Sequence, residues 1–371
     1  MRVGVPKEIK VQEHRVGLTP MAVHEYVAAG HDVLVQTGAG AGIGAGDAAY
    51  VAAGGRIVPD AAAVFASADM IVKVKEPQPL EWKMLRQGQI LFTYLHLAPD
   101  REQALGLLAS GCIGVAYETV TDEHGGLPLL APMSEVAGRL AIEAAAFSLR
   151  KPVGGKGLLL GGVPGVAPAR VVVVGGGVVG THAARMAVGL GAEVTIIDRS
   201  IPRLRQLDEL FQGRVRTRFS SHANIVEEVL LADVVVGAVL IPGASAPKVI
   251  TRSMLRQMLP RSVLVDVSID QGGCFETSHA TTHDAPTYEV DDIIHYCVAN
   301  MPGAVPATSS HALNHATLPF GLALAAHGEQ AMVQDVHLRR GLNIHRGRVT
   351  CSAVAQALGL PAVTAEAALG M

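Results

Sequence analysis

Short apolar runs alternate with helical patterns over the first part of the chain. Arg2–Pro6 has the pattern of a buried strand, and Thr19–Gly30 has helical spacing, with Thr19 placed to cap the helix and Pro20 at its first position. Further strand-like runs are His31–Gln36, Met70–Lys75, Gln89–His96 and Cys112–Glu118, and a further helical segment is Asp100–Ser110. Strands that alternate with helices at this spacing predict a mostly parallel, doubly wound α/β sheet.

A second alternating unit begins near Arg170. Its strand-like runs are Val171–Val174, Glu193–Asp198, Val215–Ser220, Asp233–Leu240 and Ser262–Asp270. One long helical segment over residues 132–150 precedes this unit, and another starts after residue 305. Two such helices are typical of the junctions of an inserted domain. We therefore predict two Rossmann-like domains: a discontinuous catalytic domain of residues 1–131 and 305–371, and an inserted cofactor domain of residues 132–304.

The composition is typical of a globular protein with well-buried cores. Hydrophobic residues make up 49% of the 371 residues and charged residues 17%, which excludes a disordered chain. The net charge of -3 and the lack of a basic run in the sequence argue against nucleic acid as a partner. The most apolar stretches, residues 157–180 and 229–246, are interrupted by proline, glycine or a charge, so they predict no membrane span.

Cysteine spacing and the first residues indicate the cellular compartment. The four cysteines lie far apart without paired spacing, so they predict neither a disulfide framework nor a zinc site. The first ten residues carry four charged side chains and no apolar core of a signal peptide. We therefore expect a cytoplasmic protein.

The strongest motif in the chain follows a run of four valines. Gly175, Gly177 and Gly180 occupy the G-x-G-x-x-G positions. These glycines allow a sharp turn, a close approach of backbone to a pyrophosphate and tight packing of the next helix. The N-terminus of that helix favours phosphate.

Asp198 ends the next predicted strand, where a carboxylate binds the adenine ribose and repels a 2′-phosphate. NAD is therefore favoured over NADP, although Arg199 weakens that preference. The alternative is a glycine turn in a sheet that binds no nucleotide.

Four polar side chains fall near the ends of predicted strands. Arg15 follows the first strand, whereas Lys75, His96 and Asp270 close later ones. Ligands of open parallel sheets bind beyond the carboxyl ends of the strands. An amino-acid dehydrogenase needs a guanidinium for the substrate carboxylate, a group that polarises the keto or imino carbon, a proton shuttle and an anion for the developing iminium. These residues are of those four types.

Each of the four also has a purely structural interpretation. Single arginines are usually solvated, and Lys73 beside Lys75 indicates a merely charged edge. A histidine at a strand end can make a structural hydrogen bond, and Asp266 competes with Asp270 on the same strand. Spacing alone does not bring the four groups into one site.

The sequence resembles the alanine dehydrogenase family over nearly its entire length. The segments that carry the resemblance are MRVGVPKEIKVQEHRVGLTP, ADMIVKVKEPQ, ILFTYLHLAPD, APMSEVAGRLA, GKGLLLGGVPGVAPARVVVVGGGVVG, VLVDVSIDQGGCFE, THDAPTY and YCVANMPGAVP. The resemblance implies a homo-oligomer, usually a hexamer, of two-domain subunits with NAD in the cleft between domains. It also implies the NAD-dependent interconversion of L-alanine with pyruvate and ammonium by hydride transfer.

Carried over by position, the resemblance implies three catalytic roles. Lys75 would lie near the reacting carbonyl, His96 would be the acid/base group, and Asp270 would be the partner carboxylate beside the nicotinamide. The residues implied to bind substrate are Arg15, Lys75, Met133 and Asn300. The residues implied to bind NAD are Ser134, Gly175, Gly177, Val178, Val179, Gly180, Asp198, Ser220, Val239, Leu240, Ile269, Asp270 and Asn300.

Three other functions stay open at this point. A saccharopine-type dehydrogenase of the same superfamily would use a larger keto acid. The NAD-binding subunit of a membrane transhydrogenase would share the fold but would have no need of the catalytic residues and would differ from MSEVAGRL in its cofactor loop. A catalytically silent NAD-binding protein is the third.

No metal site is predicted. Glu118 and His327 are possible donors to a divalent ion, but no ligand spacing supports such a site.

Ala307 stands where members of the family usually carry a basic residue. The resemblance therefore implies weaker cofactor or interface contacts at this position.

Overall fold

Two units make up the fold of this chain, whose residues 1–239 and 246–371 are described by a computed structural model. The first unit comprises Met1–Met133 and Gly303–Met371, and the second comprises Ser134–Pro302. The second unit is thus inserted into the sequence of the first.

The first 130 residues alternate strands and helices. The strands are β1 (Arg2–Val5), β2 (Asp32–Gln36), β3 (Arg56–Val58), β4 (Met70–Val72), β5 (Ile90–Thr93) and β6 (Ile113–Ala116). The helices are α1 (Pro20–Ala28), α2 (Asp47–Ala52), α3 (Ala61–Ser67), α4 (Pro79–Trp82) and α5 (Arg101–Ser110), with 3-10 helices at Ala41–Ile43 and Tyr117–Thr119. The side chains of Thr19, Asp60 and Asp100 accept backbone N–H groups at the starts of α1, α3 and α5. These caps determine where the three helices begin.

The middle of the chain repeats the alternation. Helix α6 (Ala131–Ser148) leads into it. The strands are β7 (Arg170–Val174), β8 (Glu193–Asp198), β9 (Arg216–Phe219), β10 (Val234–Gly237), β11 (Val263–Asp266), β12 (Thr287–Val290) and β13 (Ile293–Tyr296). The helices are α7 (Val178–Gly189), α8 (Ile201–Phe211), α9 (His222–Leu230) and α10 (Arg252–Leu255), with 3-10 helices at Lys151–Val153, Ile269–Gln271 and Met301–Ala304.

The remaining residues return to the first unit. Their elements are α11 (Pro306–His327), α12 (Gln330–Gln334), α13 (Val336–Arg339), β14 (Leu342–His345), β15 (Arg348–Val349), α14 (Ser352–Leu358) and α15 (Ala365–Leu369). Arg346 and Gly347 both have positive φ, at 49° and 85°. Positive φ at both central residues is the geometry of the tight turns that join antiparallel strands, and this turn joins β14 to β15.

The sheet of the first unit has the strand order β15-β14-β6-β5-β4-β1-β2-β3. Strands β1 to β6 are parallel to one another, and β14 and β15 extend the sheet in the antiparallel sense. The order reverses between β1 and β4, so the loops after these two strands leave in opposite directions. Such a switch point creates a crevice at the carboxyl edge of a sheet.

The sheet of the second unit repeats this design. Its strands among the described residues have the order β12-β13-β11-β10-β7-β8-β9. All pairs are parallel except β12 with β13, and the order reverses between β7 and β10. The predicted class, two doubly wound Rossmann-like sheets, is confirmed.

The valines of β7 show how the second sheet is covered on both faces. Val171 and Val173 belong to one buried cluster with alanines of α6 and α7, whereas Val172 and Val174 belong to another with apolar residues of α9 and α10. Successive side chains of a strand point to opposite faces. A continuous valine run therefore marks a parallel strand buried on both sides.

Several predicted strands are longer than the observed ones, among them the three that were expected to end at a candidate site residue. The run to Lys75 forms strand only to Val72, the run to His96 only to Thr93, and the run to Asp270 only to Asp266. The prediction that Lys75, His96 and Asp270 close their strands is therefore wrong by three or four residues. Residues just beyond two of these strand ends, Val74 and Leu95, are fully buried, so the apolar pattern continues after the strand hydrogen bonding has stopped.

Candidate active site

In the first unit, two of the predicted residues follow the strands on either side of the switch point, and a third follows the next strand. Arg15 lies in the segment after β1, Lys75 after β4 and His96 after β5. The carboxyl ends of these parallel strands lie along one edge of the sheet. The first unit therefore brings a guanidinium, an ammonium and an imidazole to the same edge.

Arg15 is buried and is held by Glu13. The two carboxylate oxygens of Glu13 accept Nε and one terminal nitrogen of Arg15 at 2.7 and 2.6 Å. The other terminal nitrogen is 3.0 Å from Sδ of Met133. Burial disfavours the charge, but Glu13 outweighs burial and raises the pKa of Arg15. The fork of Arg15 is thus fixed in its plane by a bidentate pair, and Met133 lies beside it.

The two neighbouring lysines have different environments. Lys73 is fully buried, and its ammonium donates to Glu8 at 2.9 Å and to Glu81 at 2.7 Å. Glu8 also accepts the backbone N–H of Val74 at 2.7 Å. The Thr93 hydroxyl donates to the carbonyl of Lys75 at 3.0 Å. Lys73 is therefore a structural ion-pair centre that helps to fix the segment on which Lys75 lies, not a second member of a charged edge.

The His96 ring lies among polar and aromatic groups. Its Nδ1 is 3.2 Å from Oε2 of Glu76, and the ring stacks on Tyr94 with centroids 5.7 Å apart. Burial raises the pKa of Glu76, but the hydrogen bond from His96 and two nearby lysine charges outweigh burial and hold that pKa well below its usual value. One of these charges is Lys75 and the other is Lys10, which forms an ion pair with Glu76. Glu76 therefore links Lys75 and His96.

The Glu118 carboxylate is held by the backbone of the segment after β5. Both of its carboxylate oxygens accept the backbone N–H of Leu95, and one also accepts that of His96. No cluster of three His, Cys, Asp or Glu side chains with metal-binding geometry occurs within the part of the chain that the structure describes.

The glycine turn of the second unit has the shape that a pyrophosphate requires. Gly175 has φ of 103°, and an added Cβ would lie 2.3 Å from the carbonyl oxygen of Ala238. At Gly180 an added Cβ would lie 1.8 Å from the carbonyl oxygen of Gly175, whereas at Gly177 it would meet nothing within 4 Å. Two glycines are thus required for packing, and the third leaves open space at the start of α7, where Val178 and Val179 form the first turn. The residues present fit a dinucleotide phosphate at a helix N-terminus.

Asp198 and Arg203 flank the turn. Asp198 accepts the backbone N–H of Gly176 at 2.7 Å and that of Ser200 at 2.7 Å. Arg203 donates to the carbonyl of Gly176 at 2.7 Å and to the hydroxyl of Thr181 at 2.7 Å. Both side chains therefore fix the backbone of the turn, and the Asp198 carboxylate lies beside it.

Asp266 and Asp270, which were competing candidates in the sequence, have different roles in the structure. Asp266 is fully buried and accepts the backbone N–H of Cys274 at 2.8 Å and the hydroxyl of Ser278 at 2.5 Å. Asp270 is exposed and lies in the 3-10 helix after β11. Asp266 therefore anchors the loop that carries Asp270, and Asp270 is the carboxylate that is accessible.

Four other predicted residues of the second unit, Ser220, Val239, Ile269 and Asn300, follow the carboxyl ends of its strands. Ser220 follows β9 and Val239 follows β10, where the Val239 carbonyl accepts the hydroxyl of Ser268 at 2.8 Å. Ile269 is buried next to Asp270. Asn300 follows β13, and its φ of 62° is left-handed. Ser134 lies in the first turn of α6, and Leu240 lies outside the described residues.

Several residues that build these sites were not predicted as site residues. They are Glu8, Glu13, Glu76, Glu118 and Arg203. The Glu13-x-Arg15 spacing and the direct succession of Lys75 and Glu76 are local charge patterns that indicate pairing. Glu118 contacts a segment more than 20 residues away, and no local pattern reveals such a contact.

Among the described residues, no helix combines the length and the apolar character that crossing a membrane would require.

Two family models match the chain. The model described as alanine dehydrogenase/PNT, N-terminal domain, matches residues 4–137. The model described as alanine dehydrogenase/PNT, C-terminal domain, matches residues 141–352. Together they span most of the sequence.

Individual proteins are similar over the full length. The alanine dehydrogenase of Halomonas elongata is 58% identical over 371 residues, which is all of both chains. A solved structure named L-alanine dehydrogenase superposes with a TM-score of 0.94 at 51% identity, covering 97% of this chain and 99% of the other. A transhydrogenase structure from Sinorhizobium meliloti superposes with a TM-score of 0.81 at 26% identity, covering 95% and 100%.

Proposed function

Because the chain belongs to the alanine dehydrogenase/PNT family, we propose that it is an NAD-dependent L-alanine dehydrogenase that interconverts L-alanine with pyruvate and ammonium. The observation that supports this most strongly is the grouping of Lys75 and His96 about the Glu76 carboxylate at the carboxyl edge of the first sheet. A lysine and a histidine held together are the groups needed to polarise a carbonyl and to move a proton. A protein that only binds a nucleotide has no use for them.

Substrate binding is assigned to the cations of the first unit. Arg15, fixed in its plane by Glu13, would bind the carboxylate of alanine or pyruvate, and Lys75 would bind the same carboxylate near the carbonyl oxygen. A guanidinium binds a planar carboxylate with two parallel hydrogen bonds. Met133, against Arg15, would contact the small side chain of the substrate. Asn300 of the second unit is proposed to contact substrate and cofactor.

Proton transfer is assigned to His96. NAD held at the glycine turn would supply the hydride acceptor for the α-carbon of alanine, whose oxidation would give iminopyruvate. His96 would remove a proton from the water that attacks the imine carbon and return one as ammonia leaves. Asp270 would stabilise the positive iminium electrostatically, and Lys75 would polarise the carbonyl of pyruvate in the reverse direction.

NAD rather than NADP is the proposed cofactor. Asp198 stands beside the glycine turn, with its carboxylate already accepting two backbone N–H groups. A carboxylate at this position accepts from ribose hydroxyls and repels a 2′-phosphate. The residues proposed to hold NAD are Ser134, Gly175, Gly177, Val178, Val179, Gly180, Asp198, Ser220, Val239, Ile269, Asp270 and Asn300.

The test is oxidation of NADH, followed at 340 nm, by the purified chain. We expect turnover with pyruvate plus ammonium, no turnover with 2-oxoglutarate plus lysine, and a loss of about 10³-fold or more in kcat for H96A and D270A. Turnover with 2-oxoglutarate plus lysine instead would assign the chain to a saccharopine-type reaction. Turnover of H96A and D270A near that of the unmodified chain would refute the catalytic assignment.

We further propose a cytoplasmic homo-oligomer, with a hexamer as the family resemblance implies. Free cysteines fit a reducing compartment. Large apolar side chains are exposed on and just after α6, among them Phe147, Leu159, Val163 and Val166. Exposed apolar groups close together in sequence favour self-association, and sedimentation velocity measures the resulting mass.

A further inference from the structure

The backbone of His96 has a conformation that such residues rarely adopt. Its φ of 46° lies in the left-handed region, which is disfavoured for residues with a Cβ. Glu118 holds it there, because Oε1 of Glu118 accepts the N–H of His96 at 2.6 Å. The same carboxylate accepts the N–H of Leu95 at 3.1 and 3.2 Å. A side chain that follows β6 thus fixes the segment that follows the neighbouring strand, β5.

The ring of His96 is fixed by a different carboxylate. Oε2 of Glu76 is 3.2 Å from Nδ1, while Lys10 pairs with the other oxygen of Glu76. An ionised carboxylate can only accept hydrogen bonds, so Nδ1 must carry the proton. In a neutral imidazole this leaves Nε2 without a proton, as the nitrogen that can act as a base. Tyr94 stacks on the ring at 5.7 Å between centroids and restricts its rotation.

We propose that Glu76 and Glu118 are positioning residues for the acid/base chemistry of His96, Glu118 by fixing its backbone and Glu76 by fixing the tautomer of its ring. The proposal rests on the proposed function, in which His96 is the acid/base group. Each carboxylate acts through His96. Two independent constraints on one residue are the arrangement that a precisely placed base requires.

Substitution of Glu76 tests the constraint on the ring. Glu76→Gln keeps the volume, but an amide can either donate or accept and no longer selects one tautomer. We expect kcat to fall by about 10²-fold with a smaller change in KM for pyruvate. The charged and titratable groups around the ring are Lys75, Lys10, Glu118 and Tyr94.

Substitution of Glu118 tests the constraint on the backbone. Glu118→Gln keeps one oxygen that can accept both backbone N–H groups, but it removes the negative charge and places an amide NH2 where Leu95 now donates to the second oxygen. We therefore expect kcat to fall about tenfold, with Glu118→Asp no better because its shorter side chain draws the carboxylate away from the two amides. The matched control is Glu102→Gln, an exposed glutamate in the first turn of α5. That variant should keep the kcat and the pH profile of the unmodified chain.

A double-mutant cycle decides whether the carboxylates act through His96. If they do, adding E76Q or E118Q to H96A costs no further activity, because the group they position is gone. Multiplicative losses in both double variants would overturn the proposal, as would E76Q and E118Q with the kcat and pH profile of the unmodified chain. If E76Q fails to fold, E118Q carries the same cycle.

A readout that needs no activity separates this proposal from the proposed function. In the full chain labelled with ¹⁵N-histidine, the His96 ring signals are assigned by their loss in H96A. We expect a single tautomer with the proton on Nδ1, and a mixture of tautomers in E76Q. A proton on Nε2 in the unmodified chain would overturn the proposal, whereas failure of the unmodified chain to use pyruvate and ammonium would overturn only the function.

Discussion

The carboxylates that pair with each cation of the first unit determine whether that cation has a structural role or can bind substrate. Lys73 and Lys75 are two positions apart, but the ammonium of Lys73 is fully buried between two carboxylates. Arg15 is compensated by Glu13 along one edge of its guanidinium, and Glu76 is ionised beside His96. The sequence shows the residue types but not these pairings, because most of the partners come from different loops.

The two lysines give a matched pair of substitutions. Lys73→Met leaves the carboxylates of Glu8 and Glu81 buried without their cation, which should lower the free energy of unfolding by about 3–5 kcal/mol. Lys75→Met should leave stability much closer to that of the unmodified chain while removing turnover with pyruvate. Urea unfolding followed by circular dichroism, together with the 340 nm assay, separates the two effects. Equal loss of stability in both variants would contradict this distinction.

Helices and strands were predicted correctly where the apolar pattern is long and were missed where it is short. The buried strand β8 has the predicted bounds, Glu193–Asp198, and α6 lies within two residues of its predicted range. The short strands β12 to β15 were not predicted, since histidine, tyrosine and charged residues interrupt their pattern. Strand ends were overestimated where buried residues follow the last strand residue.

The β12–β13 pair contains a buried histidine that makes stability depend on pH. Burial lowers the pKa of His295 to about 4, and its ring lies 2.8 Å from the hydroxyl of Thr277 and 3.0 Å from the carbonyl of Ile293. The unfolded chain has the ordinary histidine pKa of about 6.5. Between about pH 6.5 and 4 the unfolded state therefore binds more protons, so stability falls as the pH falls, by up to about 3 kcal/mol.

His295→Gln should remove this pH dependence. We expect the free energy of unfolding, measured in urea at pH 7 and at pH 4.5, to fall less in the variant than in the unmodified chain. The control is His124→Gln, since the His124 side chain is 84% exposed and should not alter the pH dependence. Equal pH dependence in H295Q and the unmodified chain would show that His295 does not cause it.

On the scale of the whole molecule, one strand order is used twice. Each unit places predicted polar residues at or beyond the carboxyl ends of parallel strands at or next to a switch point. The fold class could be predicted because alternating strands and helices specify such a sheet. The proposed site was predicted from polar residues near the ends of predicted strands and from the family resemblance. The carboxylates that hold those residues could not be predicted, because most of their contacts are tertiary.

The central claim is hydride transfer from the α-carbon of alanine, and isotope transfer measures it directly. The purified chain is incubated with NAD and L-alanine that carries deuterium at the α-carbon, and the reduced cofactor is analysed by mass spectrometry. We expect reduced nicotinamide that contains one deuterium, formed in equal amount with pyruvate. Absence of reduction with alanine, or reduced cofactor without deuterium, would contradict it.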